Sequence, residues 1–316
     1  MIRQSRRALL AKSFMGLMAS VLWPSQKSSA ATTSWRNWSG NLVAYPEGRY
    51  SPGSEYELLE YLKKSGAPIR PVGAGHSFSP LVPTAGNLVV LDQLSGLIEY
   101  DRSKMQATFG AGTRLSDIGG SLDAIDQAML NLPDIDRQTL AGATATATHG
   151  TGIGFTCLSG FVTALRLMTP RGDLIDLKAG DEFFNAARVS LGSLGVITRM
   201  TIQNQAPYKL KANNSVQRIE DVLETFDETA AEHRHFEMFP LTHSNYALVL
   251  AIDETDEPVD SPASESEEDD GSGDVMASWA TVPPRERMAL IDAVAQQIPP
   301  STTVDHSYKV LSNIRN

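Results

Sequence analysis

Three stretches rich in small residues carry the groups best able to bind a large ligand. They read RPVGAGHSFSP at 70–80, DIDRQTLAGATATATHGTGIG at 134–154 and SLGSLGVIT at 190–198. Glycine lets a backbone approach a ligand closely, and its N–H groups and nearby threonine hydroxyls then donate hydrogen bonds. Successive backbone N–H groups suit an anion such as a pyrophosphate. The three stretches together favour a dinucleotide held mainly by the backbone.

Taken alone, the first stretch is a weak signal. VGAGHS is compatible with an anion-binding loop and also with a tight turn that carries a structural histidine. It lacks a complete G-x-G-x-x-G and the acidic residue about 20 positions later, which argues against a Rossmann nicotinamide site. The second stretch has a structural alternative too, because small residues also occur where helices and strands pack closely.

Composition argues against metal and nucleic-acid sites. The single cysteine, Cys157, excludes an intramolecular disulfide and a cysteine-cluster metal site. The histidines show no HExxH or comparable spacing, and His233 and His235 are predicted to alternate along a strand, so we predict no metal. The chain has no basic stripe with interleaved aromatic residues, so we predict no nucleic-acid partner.

Residues 1–30 have the three parts of an export signal. A basic start, a moderately apolar run and a small-residue cleavage site follow one another, and SRRALLAK is typical of a twin-arginine signal. We therefore expect a bacterial protein exported to the periplasm or beyond; an ordinary secretory signal and a basic amphipathic helix are the alternatives. Lys12 interrupts the apolar run, so no stable membrane span is predicted, and membrane association stays open if the signal is uncleaved.

Hydrophobic periodicity and turn residues predict the elements of the first part of the chain. A helix is expected over about 53–65, with Ser54 as its N-cap and Gly66 at its end. Apolar residues at helical spacing from 115 to 125 predict a second helix. A hairpin is expected to turn at 170–173, between two apolar strands.

The second part begins near 206 and mixes helices with strands. Its predicted elements are a helix over about 218–232, the strands HFEMFP and NYALVLAI, the helix RERMALIDAVAQQI and a last strand, SYKVLSNIR. The run 253–274 holds 11 acids and no lysine or arginine, and without it the net charge of −10 becomes +1. Such a run cannot bury apolar surface, so we predict a disordered insertion, with an interaction tail as the alternative. The element order favours an α+β fold.

In order and approximate spacing, the three small-residue stretches resemble those of flavoprotein oxidases of the vanillyl-alcohol oxidase superfamily. More narrowly, the chain is similar to the aldonolactone and alditol oxidases, the gulonolactone, arabinonolactone and xylitol oxidases among them. The resemblance covers 35–205 well and the remainder thinly. It implies an α+β fold with a PCMH-type FAD-binding domain over 31–205 and an incomplete substrate (cap) domain over 206–316.

The resemblance also implies a reaction. A CH–OH group of a sugar lactone or polyol would be oxidised, with hydride passing to flavin N5 and O2 reoxidising the flavin. A dehydrogenase that uses another acceptor, and a non-catalytic FAD-binding remnant, are the alternatives.

The same resemblance implies roles for individual residues in binding the cofactor. His76 is the expected point of covalent FAD attachment, through the flavin 8α-methyl, and a neutral imidazole is a competent nucleophile. The expected pyrophosphate loop consists of Gly73, Ala74, Gly75 and Ser77. Further expected cofactor-lining residues are Asp136, Gly142, Thr146, His149, Gly150 and Val196. A buried structural role is the alternative for His149.

Two further positions depart from the family pattern. Some relatives attach FAD a second time through a cysteine near the position of Gln138, whereas Cys157 lies later and is predicted to be a small buried apolar side chain. Arg315 matches the arginine of a Glu-x-Arg pair on the substrate side of the flavin, and Asn313 replaces the glutamate. An arginine there stabilises negative charge; a surface arginine is the alternative. A His-Trp-Gly-Lys-like segment of the family is missing, which implies a fragment or a shortened protein.

Overall fold

The computed structural model describes residues 33–260 and 282–312. The strands in chain order are β1 (Trp35–Arg36), β2 (Val43–Ala44), β3 (Gly48–Tyr50), β4 (Ile69–Val72), β5 (Asn87–Val90), β6 (Leu97–Asp101), β7 (Gln106–Gly110), β8 (Ala128–Met129), β9 (Val162–Met168), β10 (Leu174–Lys178), β11 (Val196–Gln205), β12 (Lys209–Arg218), β13 (His235–Pro240), β14 (Tyr246–Thr255) and β15 (Ser301–His306). The helices are α1 (Glu55–Lys64), α2 (Leu115–Asp123), α3 (Leu140–Ala145), α4 (Phe184–Arg188), α5 (Ile219–Glu232), α6 (Pro284–Ala295) and α7 (Ser307–Leu311), with a short 3₁₀ turn at Leu158–Phe161.

Two larger sheets and the small antiparallel pair β1–β2 build the first part of the molecule. A parallel sheet has the strand order β3-β5-β4, and an antiparallel sheet has the order β10-β9-β11-β7-β6, with β8 paired to β11. The predicted hairpin is present as the antiparallel pair β9–β10. The main core lies around these elements, and Leu58, Phe109, Ile118 and Met200 are fully buried in it. Burial of such side chains supplies most of the driving force for folding.

Helix α1 begins as its sequence predicts. The Ser54 hydroxyl accepts a hydrogen bond from the Glu57 N–H at 3.1 Å, which satisfies one of the free donors at the helix start. The carboxylate of Glu55 accepts from the Thr198 hydroxyl at 2.6 Å and forms ion pairs with arginines of β9 and β11. The helix ends at a Ser65 cap, one residue before the predicted Gly66. These contacts fasten α1 to the antiparallel sheet.

The second part is a four-stranded antiparallel sheet with the order β13-β14-β12-β15. Helix α5 lies close to its predicted position, but the predicted last strand, SYKVLSNIR, is wrong. The strand is β15, and helix α7 follows it at once. Ser307, Val310 and Leu311 are the buried residues of α7, and their spacing of three and four residues is helical rather than alternating.

The acidic run begins later than predicted. Strand β14 continues to Thr255, so the expectation of disorder is wrong for 253–255. Asp253 is held in place because one of its carboxylate oxygens accepts from the Arg234 N–H at 2.8 Å and the other lies 2.6 Å from His233 Nδ1. Of the two histidines predicted to alternate on a strand, only His235 lies in one; His233 caps α5.

Several expectations fall outside the described residues. They concern the leader, 1–30, the later part of the acidic run, 261–274, and the C-terminal positions Asn313 and Arg315. Within 33–260 and 282–312, no helix is both long and apolar enough to cross a membrane.

Helix α7 packs closely on α2 at Gly119, which has no side chain to obstruct the contact. A Cβ on Gly119 would lie 2.6 Å from the Cβ of Tyr308, whereas a Cβ on neighbouring Gly120 would meet nothing within 4 Å. We expect Gly119→Ala to lower the free energy of unfolding by about 1–3 kcal/mol through overpacking. Gly120→Ala is the matched control and is expected to raise it by up to about 1 kcal/mol, because alanine favours a helix.

Urea unfolding followed by circular dichroism measures both values. Equal effects of the two substitutions would show that the α2–α7 contact does not bear on stability.

Candidate functional site

The three small-residue stretches meet in one cleft. Seven of the predicted cofactor residues line it, namely Gly73, Ala74, Gly75, His76, Ser77, Gly142 and Thr146. The third stretch contributes Ser190, Leu191, Gly192, Gly195 and Ile197. The cleft contains about 1080 Å³ of empty space, measured out to its open mouth.

Close backbone approach around Thr139 brings the first two stretches together. The Thr139 hydroxyl caps α3 by accepting from the Gly142 N–H at 3.3 Å. A Cβ on Gly142 would lie 2.8 Å from this hydroxyl, and a Cβ on Gly73 would collide with it. Glycine is therefore required at both positions for the two loops to form one wall.

Hydrogen bonds from Asn37 and Trp38 hold the first loop, 73–77, in place. Gly75 has φ = +72°, a left-handed conformation that favours glycine. Its carbonyl accepts from the Trp38 N–H at 2.9 Å, and the Ser77 carbonyl accepts from the Asn37 side-chain amide at 3.1 Å. Asn37 is itself buried. The loop therefore holds its shape through protein contacts, with its inner surface facing the cleft.

His76 is half-buried at the edge of the cleft. Its ring stacks on Trp38 with 5.1 Å between centroids and 19° between planes, which limits the orientations of the imidazole. Burial, and then the positive charge of Arg114, lower the pKa of His76 below its ordinary value. The imidazole is therefore neutral at neutral pH and has a nitrogen lone pair available.

Two arginines of the cleft were missed from the sequence. Arg70 and Arg114 both line it, and the Arg114 guanidinium is oriented by donating to the Arg137 carbonyl at 2.6 Å. Guanidinium groups bind phosphates with charge and geometry together. No local motif marks either residue, because Arg114 reaches the cleft from the start of α2 and Arg70 from β4.

Two buried polar atoms in the cleft wall have no partner. Gln138 Oε1 and Ser190 Oγ are both inaccessible to solvent and form no hydrogen bond within the described residues, and both residues line the cleft. An unpaired buried polar atom costs about 1–3 kcal/mol, so each one calls for a partner such as a water, an ion or a ligand. Together with the glycine wall, they fit a large polar ligand.

Four predicted cofactor residues are not part of the cleft wall. Val196 is buried in β11, between Gly195 and Ile197, which do line the cleft. Asp136 is not among the residues that line the cleft, and its carbonyl accepts from the Ser116 N–H at 3.0 Å. His149 and Gly150 lie beyond the C-terminal end of α3.

The THGTG segment leaves the cleft and turns toward the four-stranded sheet. His149 is exposed, so the alternative of a buried structural histidine is wrong. Gly150 packs so closely on the Leu132 carbonyl that a Cβ would collide with it. Cys157 follows and is half-buried, with its Sγ 3.0 Å from the Ser159 hydroxyl, so it is not the buried apolar side chain that we predicted.

A second polar cluster lies where this segment meets the four-stranded sheet. Thr151 Oγ1 donates to Glu237 Oε1 at 3.0 Å, and the carboxyl of Asp134 lies within hydrogen-bonding reach of the Glu237 carboxyl. Burial and then the charge of Asp134 raise the pKa of Glu237 to about 7, and burial raises the pKa of Asp134. Sequence patterns missed this cluster because its members are distant in the chain.

Groups of three or more His, Cys, Asp or Glu side chains arranged to hold a metal ion are absent from the part of the chain that the structure describes.

Comparison with known proteins assigns these features to a class. A model of the FAD binding domain matches residues 50–178, and a model of D-arabinono-1,4-lactone oxidase matches residues 200–316. L-gulono-1,4-lactone dehydrogenase of Mycobacterium tuberculosis is 33% identical over 293 residues, covering 89% of this chain and 67% of the relative. L-gulonolactone oxidase of Scyliorhinus torazame is 30% identical over 235 residues, covering 73% of this chain and 53% of the relative.

Solved structures agree on the fold. A variant of cholesterol oxidase from Brevibacterium sterolicum superposes with a TM-score of 0.67 at 18% identity, over 87% of this chain and 60% of that one. The fold and cleft therefore define a PCMH-type FAD-binding flavoprotein of the α+β class. Within that class, the chain belongs to the family of sugar-1,4-lactone oxidases and dehydrogenases. It spans two thirds of the mycobacterial relative and about half of the Scyliorhinus relative.

The carboxyl pair generates a prediction on stability. Both pKa values are raised on folding, so the stabilising contribution of the pair is fully present below the ordinary carboxyl pKa and is lost as pH rises through about 7. Glutamine resembles the protonated acid. The quantity to compare is the free energy of unfolding of Glu237→Gln minus that of wild type. We expect this difference to be about 1–2 kcal/mol more favourable to the variant at pH 8 than at pH 5, after allowance for solvent screening.

Urea unfolding at pH 5, 6, 7 and 8 measures this difference. Glu224→Gln, the same change on the exposed side of α5, is the control and is expected to show no such trend. A Glu237→Gln effect independent of pH would contradict the raised pKa.

Proposed function

We propose that this protein binds FAD in the cleft and oxidises a CH–OH group of a sugar-1,4-lactone. The observation that carries the proposal is the cleft itself, which is lined by Gly73, Gly142 and the two residues with unpartnered polar atoms, Gln138 and Ser190. The family supports the same reading, because its characterised members are named for gulono- and arabinono-1,4-lactone.

The residues present fit the cofactor. Backbone N–H groups of 73–77 would hold the pyrophosphate, and the guanidinium groups of Arg70 and Arg114 would neutralise its charge. Gln138 and Ser190 would pair with polar groups of the nucleotide or flavin. Bound FAD supplies the acceptor for two electrons and a proton in the form of hydride.

We propose further that FAD is attached covalently through His76 to the flavin 8α-methyl. The support is chemical: a half-buried imidazole kept neutral by burial and by Arg114 has its lone pair free. Stacking on Trp38 limits the rotation of the ring and so restricts the direction of that lone pair. A covalent histidyl link is expected to raise the flavin potential.

The relatives differ in the electron acceptor that their names imply. We propose O2, as the name oxidase of the Scyliorhinus relative implies for that protein. A dehydrogenase with another acceptor is the second candidate, because the mycobacterial relative, at 33% identity, is named a dehydrogenase. A polyol in place of the lactone is the corresponding alternative for the donor, and Arg315, which lies outside the described residues, remains a predicted substrate-side group.

We also propose that the protein is exported through a twin-arginine signal in residues 1–30. That route carries folded proteins, which suits a cofactor that binds during folding. The support is the SRRALLAK pattern alone.

Acid precipitation tests the covalent attachment. We expect flavin absorbance and fluorescence to stay with the precipitated wild-type polypeptide and to pass into the supernatant for His76→Ala. His149→Ala is the control, because this exposed histidine lies outside the cleft, and it is expected to retain the flavin. Retention by His76→Ala, or release from wild type, would contradict the attachment at His76.

Product assays test the reaction. With sugar-1,4-lactones we expect peroxide release at a rate matching lactone consumption; reduction of an artificial dye without peroxide would assign the dehydrogenase. Consumption of polyols and not lactones would reassign the donor, and flavin binding with no turnover of either would identify a non-catalytic FAD-binding protein.

A further inference from the structure

The imidazole of His76 is oriented by stacking and not by hydrogen bonds. Within the part of the chain that the structure describes, neither ring nitrogen of His76 forms a hydrogen bond. By contrast, Nδ1 of His149, His233 and His235 each lies within 3.0 Å of an oxygen atom. The His76 ring instead lies on the indole of Trp38, with 5.1 Å between centroids and 19° between planes. The orientation of this imidazole therefore depends on Trp38.

Trp38 is itself fixed relative to both neighbours of His76. Its N–H donates to the Gly75 carbonyl at 2.9 Å. The adjacent Asn37, which is 4% exposed, donates from its side-chain amide to the Ser77 carbonyl at 3.1 Å. The backbone on either side of His76 is therefore joined to the backbone that carries the indole, so the two rings keep their relative position.

The indole of Trp38 is not part of the cleft wall. His76 lines the cleft, whereas Trp38 does not. Trp38 is 53% exposed and belongs to neither cluster of buried core residues, so its replacement should leave the core intact. Trp38 therefore affects a ligand in the cleft through its contact with His76.

Orientation is what the proposed attachment of FAD still requires of His76. Burial and Arg114 lower the pKa of this histidine, so the imidazole is neutral and its lone pair is available. Reaction with the 8α-carbon then needs the lone pair directed at that carbon at close range. One C–H bond of the methyl group and the imidazole N–H bond break, and a C–N bond forms. The two electrons and two protons released pass to O2, which becomes hydrogen peroxide.

We propose that Trp38 is a positioning residue for covalent attachment, because its stack on His76 holds the imidazole in the orientation from which a ring nitrogen bonds the flavin 8α-carbon. The inference rests on the proposed function, since it concerns the attachment at His76. Orientation of the reacting groups changes a rate strongly, whereas affinity for FAD depends on the groups that line the cleft. Trp38 therefore governs the rate of attachment and not the strength of binding.

Three substitutions at Trp38 separate stacking from bulk. Trp38→Ala removes the stack and should slow attachment at least about tenfold. Trp38→Leu keeps an apolar side chain without a flat ring and should slow attachment nearly as much. Trp38→Phe keeps a flat ring and should attach FAD within about threefold of the wild-type rate.

Tyr45→Ala is the matched control. This aromatic residue of the same N-terminal segment is 67% exposed, and its ring stacks on no other ring of the described residues. Its replacement should leave the rate of attachment unchanged.

The experiment uses the full chain, prepared without flavin and then mixed with FAD. Flavin fluorescence that stays with the denatured polypeptide, followed over time, measures the rate of attachment. Isothermal calorimetry with 8-demethyl-FAD, which lacks the carbon to be bonded, measures binding alone. All four variants should bind this probe within about threefold of wild type, because neither Trp38 nor Tyr45 lines the cleft.

Circular dichroism checks the folding of each variant. If Trp38→Ala does not fold, the comparison of Trp38→Phe with Trp38→Leu carries the test, because both keep an apolar side chain and only one keeps a ring.

The outcomes separate this inference from the proposed function. Attachment to Trp38→Ala and Trp38→Leu at the wild-type rate would overturn the role of Trp38 and leave attachment at His76 in place. Equal losses of attachment and of 8-demethyl-FAD affinity would also overturn it, because Trp38 would then serve the structure of the cleft. Absence of covalent flavin from wild type that binds 8-demethyl-FAD would overturn the attachment itself, and this inference with it.

Discussion

Close approach of backbone segments around one threonine underlies the site. Thr139 caps α3 with its hydroxyl, and both Gly73 and Gly142 lie too near that oxygen for a side chain at either position. The same segment pairs with 111–115, because Leu140 and Ala141 donate to the carbonyls of Thr113 and Ala111 at 2.8 and 3.1 Å. This packing joins the parallel and antiparallel sheets and leaves the cleft between them. A larger residue at these positions would separate the loops before it touched any ligand.

Electrostatics divide the molecule into two regions with different chemistry. The cleft places neutral His76 beside Arg114, with Arg70 on its wall, so it accommodates a polyanionic ligand. The junction places Asp134 and Glu237 together, and burial raises the pKa values of both carboxyls. The THGTG segment connects the two regions, since it follows Thr146 at the end of the cleft wall and reaches Glu237 of β13 through Thr151.

Local patterns predicted much of the fold and part of the site. Ser54 and Glu57 marked the start of α1, and the glycine loop around His76 was recognisable because small residues cluster there. Arg70, Arg114 and the Asp134–Glu237 pair escaped prediction because only the fold brings them to their places. The strand expected at SYKVLSNIR failed because a short segment with both alternating and helical spacing is decided by packing, here that of Tyr308 against Gly119.

The central claim is that FAD occupies the cleft formed by the three small-residue stretches. Amide hydrogen exchange, compared between flavin-free and FAD-loaded protein, tests it most directly. We expect increased protection in 73–77, 138–146 and 190–197, with little change in α5 and β14 of the four-stranded sheet. Protection centred on the four-stranded sheet, or no protection of the three stretches, would contradict it.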